Sequence, residues 1–450
     1  MTTAPNTGEL GRYRPYPEYK DSGLEWLGEI PTHWDVLRLK AIADVRLSNV
    51  DKKSFEEQEA VRLCNYTDVY YNGTITSEIE FMPATATTEQ IRRFSLQPGD
   101  VVITKDSESW DDIAVPAVVV EELDNVLCGY HLALIRPNTG VDGRFLARSF
   151  SAIGLQDQFQ IAANGITRYG LSGGTISSAS FSIPPHLEQQ AIADFLDRKT
   201  AAIDALIARK ERLIELLQEK RAALITQAVT KGLDPAVPMK ESGVEWLGRI
   251  PAHWEVSRSK WLFTVRNERA RPGDKQLSAT QAYGVISQDE FMQRERRRVV
   301  QITQHLDKRR HVEIGDFVIS MRSFQGGLER AWETGCIRSS YVVLQPSSQI
   351  NIDFFAYLLK SDRYIQALRS TSNFIRDGQD LNFSNFSLVD LPALSLREQE
   401  AIAEYLDEMV ENIGEVSEML NRAIGLLNEY RTALISAAVT GKIDVRQEGE

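Results

Sequence analysis

The sequence predicts an α+β protein built twice over. Two α/β modules are each followed by a long helix, and the helices pair as an antiparallel coiled coil about an approximate two-fold axis. Three observations predict it. Residues 20–36 (KDSGLEWLGEIPTHWDV) and 240–256 (KESGVEWLGRIPAHWEV) agree at 12 of 17 positions. EQQAIADFLD (188–197) and RAALITQAVTKGLD (221–234) return as EQEAIAEYLD (398–407) and RTALISAAVTGKID (431–444), at a constant offset of 210. Between these blocks the likeness falls to landmarks, so a repeated frame surrounds two divergent middles. The segments are a first module (1–186), a first helix (187–235), a second module (236–395) and a second helix (396–450).

The modules read as short strands mixed with helices. VVIT (101–104) and FVIS (317–320) each follow a Gly-Asp turn, and HLALIRP (131–137) has its counterpart in YVVLQP (341–346). RFLARSFSAI (144–153) and DFFAYLLKSDRYIQAL (353–368) look helical. GITRYGL (165–171) occupies the place of IRDGQDL (375–381).

Each long segment is one helix by periodicity. In the second copy the apolar seam runs Ile402, Leu406, Met409, Ile413, Val416, Leu420, Ala423, Leu427, Tyr430, Leu434, Ala437, in steps of four and three. Pro392 precedes it and Gly441 follows it; Pro184, Pro185 and Gly232 frame the first copy. The first seam reads Ile192, Leu196, Lys199, Ile203, Leu206, Lys210, Leu213, Leu217, Lys220, Leu224. Its lysines either lay their stems along the seam edge or face the second helix segment, whose balance over 396–450 is −7. Some 44 residues make a rod of roughly 65 Å.

A chain of 450 residues exceeds one ordinary core, and 42% apolar with 25% charged residues is ordinary globular composition. No window approaches 18 uninterrupted apolar residues, and the opening MTTAPNTGELGRYRPYPEYK lacks an apolar secretory core. Cys64, Cys128 and Cys336 are too scattered for a disulfide framework or a metal site. A reducing cytoplasm is the expected location.

Net charge is −12, which by itself argues against binding a polyanion, but its distribution is uneven. Residues 37–186 balance at −6 and residues 257–395 at +5. Basic clusters stand at RERRR (294–298, with Arg296 and Arg297), at KRRH (308–311, with Lys308 and Arg309) and at Arg92–Arg93. Base edges are read by side chains with paired donors or acceptors. The loops after the Gly-Asp strands offer Lys105, Ser107 and Ser109 in one copy and Arg322, Ser323 and Gln325 in the other. The second landmark offers Thr167, Arg168 and Tyr169 against Arg376, Asp377 and Gln379.

Catalytic signatures are missing. There is no phosphate-binding GxxxxGK[ST] loop, no Rossmann glycine fingerprint, no Asn-Pro-Pro-aromatic motif of amino-methylating enzymes, and no HExxH among the six histidines. His33 and His253 recur within IPxHW, where packing is the expected role. The Asp100…Lys105 spacing resembles a nuclease carboxylate–lysine pair, but the second copy has Asp316…Met321.

With KDSGLEWLGEIPTHW and its repeat, the Gly-Asp strands, and the IPP…EQQAIADFLD…RAALITQAVTKG helix with its second copy, the chain resembles the DNA-specificity (S) subunits of type I restriction–modification systems over nearly its whole length. The resemblance implies two target-recognition domains, each reading one half of a bipartite, asymmetric site on double-stranded DNA. It implies an antiparallel coiled coil that sets the spacer. Two modification (M) subunits would dock on the chain and carry S-adenosylmethionine and adenine methylation, and restriction (R) subunits would add ATP- and Mg-dependent translocation and cleavage. The S subunit itself binds no cofactor and is not catalytic. Alternatives are the specificity subunit of a type IIB-like enzyme, a self-sufficient nuclease or methyltransferase, and a coiled-coil scaffold that does not touch DNA.

Overall fold

The computed structural model describes residues 13–299, 306–371 and 382–446. The chain divides into two compact units, Met1–Lys210 with Asn421–Glu450, and Glu211–Leu420. The central helix His186–Lys231 and the C-terminal helix Leu396–Val439 each cross from one unit to the other in sequence. Each unit therefore holds the beginning of one long helix and the end of the other.

The first unit is built on a five-stranded sheet in the order Ala43–Leu47, Leu132–Pro137, Val101–Thr104, Pro116–Val119, Thr74–Ile75. All neighbours are antiparallel except the last pair. Successive side chains of a strand point to opposite faces, and here both faces are covered. Val101, Ile103, Ala133 and Ile135 enter one core, while Val102, Leu132 and Leu134 enter another. That is why VVIT shows no polar alternation in the sequence. A three-stranded sheet of Glu59–Cys64 between Val126–Cys128 and Met82–Ala86 closes the second core.

The second unit repeats the plan with four antiparallel strands, Phe263–Val265, Val342–Pro346, Phe317–Ile319 and Glu329–Arg330. Phe317, Ile319 and Leu344 face one core, and Val318 and Val343 the other.

Both Gly-Asp aspartates are buried and held by a guanidinium, but from different places, Arg136 within the strand Leu132–Pro137 and Arg266 just past the strand Phe263–Val265. Asp100 takes two bonds from Arg136, at 2.8 and 2.7 Å. Asp316 takes two from Arg266, at 2.6 and 3.0 Å. In the repeat Arg266 corresponds to Arg46, which in the first unit pairs with Asp44 and the Arg93 carbonyl instead.

The repeated IPxHW and EQ motifs explain each other. Glu188, at the start of the central helix, is buried and accepts from Tyr16 Oη (2.7 Å), His33 Nε2 (2.8 Å) and Trp34 Nε1 (3.1 Å). Glu398 accepts from Trp254 Nε1 at 2.9 Å and His253 Nε2 at 3.0 Å. The neighbouring glutamines act alike: the Asp142 amide donates to Gln189 and the Asn351 amide to Gln399. The opposite helix ends arrive at the same tryptophans. Gly441, left-handed at φ +73°, lies so close to Pro31 and Trp34 that a Cβ would run into Pro31 Cδ. Gly232, at φ +72°, packs on Trp254 and Pro251 beside Glu398. In each unit, then, the start of one long helix and the end of the other converge on one fully buried tryptophan.

Along the helices the expected seams hold in part. Ile402, Leu406 and Leu434 are fully buried, and Ile192, Leu196 and Ile203 join the first core. Leu206 and Leu213 are instead exposed at 42% and 43%, with Ile207 packed on the core in their stead. The lysine stems behave as edge residues where they are covered, since Lys199 Nζ lies 5.7 Å from the Phe195 ring. The ion pair to the C-terminal helix in the first unit is Asp204–Arg431 at 3.0 Å.

Candidate nucleic-acid interface

In the first unit the two loops singled out in the sequence come together. The strand end Asp106–Ser107 pairs antiparallel with Tyr169–Gly170. Leu171 N donates to the Lys105 carbonyl at 2.8 Å, and mutual Asn164–Gly170 backbone bonds close the intervening turn. That turn projects Thr167 and Arg168 into solvent, with Tyr169 half-buried behind them.

Lys105 is not free. Its ammonium lies 2.7 Å from Asp106 and 5.0 Å from the Tyr130 ring, and Asp106 is also bonded to His131 Nδ1 at 2.8 Å. Burial opposes ionisation of Asp106, yet these two partners hold its carboxyl below the usual range. Ser107 is buried and Ser109 is exposed.

Aromatic residues that no sequence motif singles out crowd this surface. Tyr66 stacks on Tyr70 at 5.4 Å, and Tyr70 donates to Asp112 at 2.7 Å, a bond that pushes its pKa up to about 12. Trp110 and Tyr130 are half exposed, at 51% and 50%. The signal that could have found them is position: Tyr130 stands two residues before the central-sheet strand Leu132–Pro137, and Trp110 three residues beyond the strand end Asp106–Ser107. Arg92 and Arg93 are exposed but stand apart. Their helix, Thr88–Phe94, precedes the strand that Lys105 follows, and it packs toward Val126–Cys128.

In the second unit, Arg322 and Gln325 are exposed while Ser323 is fully buried, its Oγ accepting from Ser320 N at 2.9 Å. The helix Asp362–Ser370 reaches this loop through Arg369, which donates to the Phe324 carbonyl. Arg376, Asp377 and Gln379 lie outside the described residues. Arg296 ends the helix Gln288–Glu295 in a left-handed turn at φ +50°, leaving Arg296, Arg297 and Arg298 exposed. Lys308 is exposed, but Arg309 is buried and donates to the Cys336 carbonyl at 3.4 Å.

Among the described residues no group of three or more His, Cys, Asp or Glu side chains could hold a metal ion. No described helix is long and apolar enough to cross a membrane.

A type I restriction modification DNA specificity domain is recognised over residues 31–216. The chain is 21% identical over 434 residues to the MjaX specificity subunit assigned in Methanocaldococcus jannaschii, covering 93% of this chain and 96% of that one. It is 21% identical over 299 residues to the type I restriction enzyme EcoBI specificity subunit of Escherichia coli, covering 64% of this chain and 63% of that one. Its fold matches the HsdS subunit of Thermoanaerobacter tengcongensis with a TM-score of 0.54 at 15% identity, over 92% of this chain and 98% of that one. A specificity domain recognised over residues 31–216, a sequence frame repeated in the second half, and a relative matched along nearly its whole length make the chain similar to the specificity subunits of type I restriction–modification systems.

Proposed function

We propose that the modules 1–186 and 236–395 are target-recognition domains, each reading one half of a bipartite, asymmetric site on double-stranded DNA. The observation that carries this is a repeated frame bearing two unlike loop clusters. Asp106, Ser107, Arg168 and Tyr169 meet beside the Gly-Asp strand of one unit, and Arg322 and Gln325 follow that of the other. In the first cluster the reading side chains are Arg168, Thr167, Tyr169 and Ser109, with Lys105 and Ser107 shaping the loop. In the second they are Arg322 and Gln325, with Ser323 shaping the loop, together with Arg376, Asp377 and Gln379. Arg296, Arg297, Lys308 and, on the first module, Arg92 and Arg93 contact phosphates.

The segments 187–235 and 396–450 form an antiparallel coiled coil that sets the spacer. Convergence of opposite helix ends on Trp34 and on Trp254 supports that direction. Two M subunits dock on it and bring S-adenosylmethionine and the methylation chemistry; R subunits bring ATP and Mg. The chain itself is a cytoplasmic, non-catalytic subunit. The test is long-read mapping of modified adenines with and without this gene. Loss of one motif, two short half-sites around a fixed spacer, is the expected result. An unchanged methylome in cells that express the whole system would overturn the reading.

A further inference from the structure

The two modules present different chemistry at the ends of equivalent strands. The first carries a balance of −6 over residues 37–186, and of the two cations on its reading loops, Lys105 is engaged by Asp106 and Tyr130, which leaves Arg168. Beside the exposed Arg168, what this surface offers is Trp110. The loop that carries it is tied down along its length. Ser109 N donates to Ser107 Oγ, Gln160 to the Asp111 carbonyl at 3.1 Å, and Tyr70 Oη to Asp112 at 2.7 Å. Beyond it Ile113 and Ala114 are buried, and Ala114 is locked left-handed at φ +60° with its amide on the Thr104 carbonyl. A half-exposed indole in so constrained a loop loses little conformational freedom on binding.

The corresponding loop of the second module has no exposed ring. Phe324 is buried, and the nearby exposed Trp332 is already covered by its own Arg330 at 4.0 Å. That module instead exposes Arg296, Arg297, Arg298 and Arg322, within a region balanced at +5.

We infer that the modules hold DNA by different physics: Trp110 is a rigid stacking wedge for the first half-site, while the arginines of the second module supply most of the phosphate neutralisation. Aromatic and apolar wedges partly unstack a base step, and stacking is largely insensitive to salt. Phosphate contacts release counterions and set the salt slope. The inference rests on the reading proposed above.

The test uses the full chain in complex with its modification subunits and a duplex bearing the motif mapped from the methylome, beside duplexes with either half-site scrambled. Affinity is measured from about 50 to 200 mM salt. Trp110→Ala should weaken binding of the intact site roughly 10-fold without changing the slope of log affinity against log salt. It should have no further effect on the duplex whose first half-site is scrambled, and Trp110→Phe should retain most of the affinity. Replacing Arg296, Arg297 and Arg298 by glutamine should flatten the slope by about one for each phosphate no longer neutralised. The wedge is overturned if Trp110→Ala binds the intact site like wild type, or weakens intact and scrambled duplexes equally. The division of labour is overturned if the triple variant keeps the wild-type slope. A wild-type complex that binds intact and scrambled duplexes alike would bring down the specificity reading itself, a distinct failure.

Discussion

Replacing Glu188 by alanine separates the two tryptophan clamps. The carboxylate satisfies three donors, and two of them, on Tyr16 and Trp34, belong to residues only 3% and 0% exposed. A buried donor left without an acceptor costs about 1–3 kcal/mol. His33 keeps 38% of its side chain in solvent and finds water. The loss is therefore about 4 kcal/mol for the first unit, a fall of roughly 10 °C in its melting temperature. Glu398→Ala strands only the indole of Trp254, since His253 is 54% exposed, so about 2 kcal/mol and roughly 5 °C are expected. Glu188→Gln, which keeps one acceptor oxygen, should fall between wild type and Glu188→Ala. Differential scanning calorimetry of the chain and the three variants measures this order. A cost for Glu398→Ala equal to or above that for Glu188→Ala, or shifts below about 1 °C in both, would refute the account of the repeated His-Trp and Glu residues.

Three further outcomes follow from other features. Gly441→Ala should cost about 2–3 kcal/mol, part from the left-handed backbone and part from the approach to Pro31, whereas Gly23→Ala, at φ +73° with open space around it, should cost only about 1 kcal/mol; urea titration compares them. In the second unit, burial lowers the affinity of His311 for a proton, but its bonds to Asp274 and Glu313 outweigh that and raise its pKa, while the His311 bond holds Glu313 at about 2. The histidine's contribution is complete below its unfolded value of 6.5 and is lost as pH rises through the higher folded value; the glutamate's is lost as pH falls from 4.5 through about 2. Melting temperatures across this range should fall on both sides, and His311→Gln should remove the alkaline fall. Inserting one matched heptad into each long helix adds about 10 Å, near three base pairs, and should lengthen the spacer in the mapped motif accordingly; an unchanged spacer would contradict the coiled coil's role.

The repeat made the plan of the molecule legible, because two copies of one motif report a shared environment even when neither explains itself. IPxHW and EQ could be read as paired packing motifs, but not as donor and acceptor of one clamp, since His33 and Glu188 are 155 residues apart. The seam of the C-terminal helix was readable from its larger apolar residues except at Val416, which is exposed. In the central helix Leu206 and Ile207, as neighbours, fit a seven-residue period almost equally well, and only packing chose the isoleucine. At the loops proposed to read DNA, the structure brings together in the first unit two segments that the sequence singled out, but residue type misjudged the burial and pairing of some of the side chains. Lys105 looks like a free cation until His131 and Tyr130, from another strand end, bring Asp106 into account. Arg309 belongs to a basic run and yet is buried on a carbonyl. Trp110 could not be told from a core tryptophan without knowing that its loop turns outward.

The Gly-Asp aspartates also bear on how the halves diverged. One copy neutralises its buried carboxylate from Arg136, where the other has Gln345; the other uses Arg266, whose counterpart Arg46 still stands in the first copy with a different partner. An ancestral half carrying both arginines could surrender either one without the aspartate ever standing alone in the core. As they stand, the first copy carries both arginines, with Arg46 on the strand paired to that of Arg136, whereas the aspartate of the second copy depends on Arg266, with Gln345 in the place of Arg136.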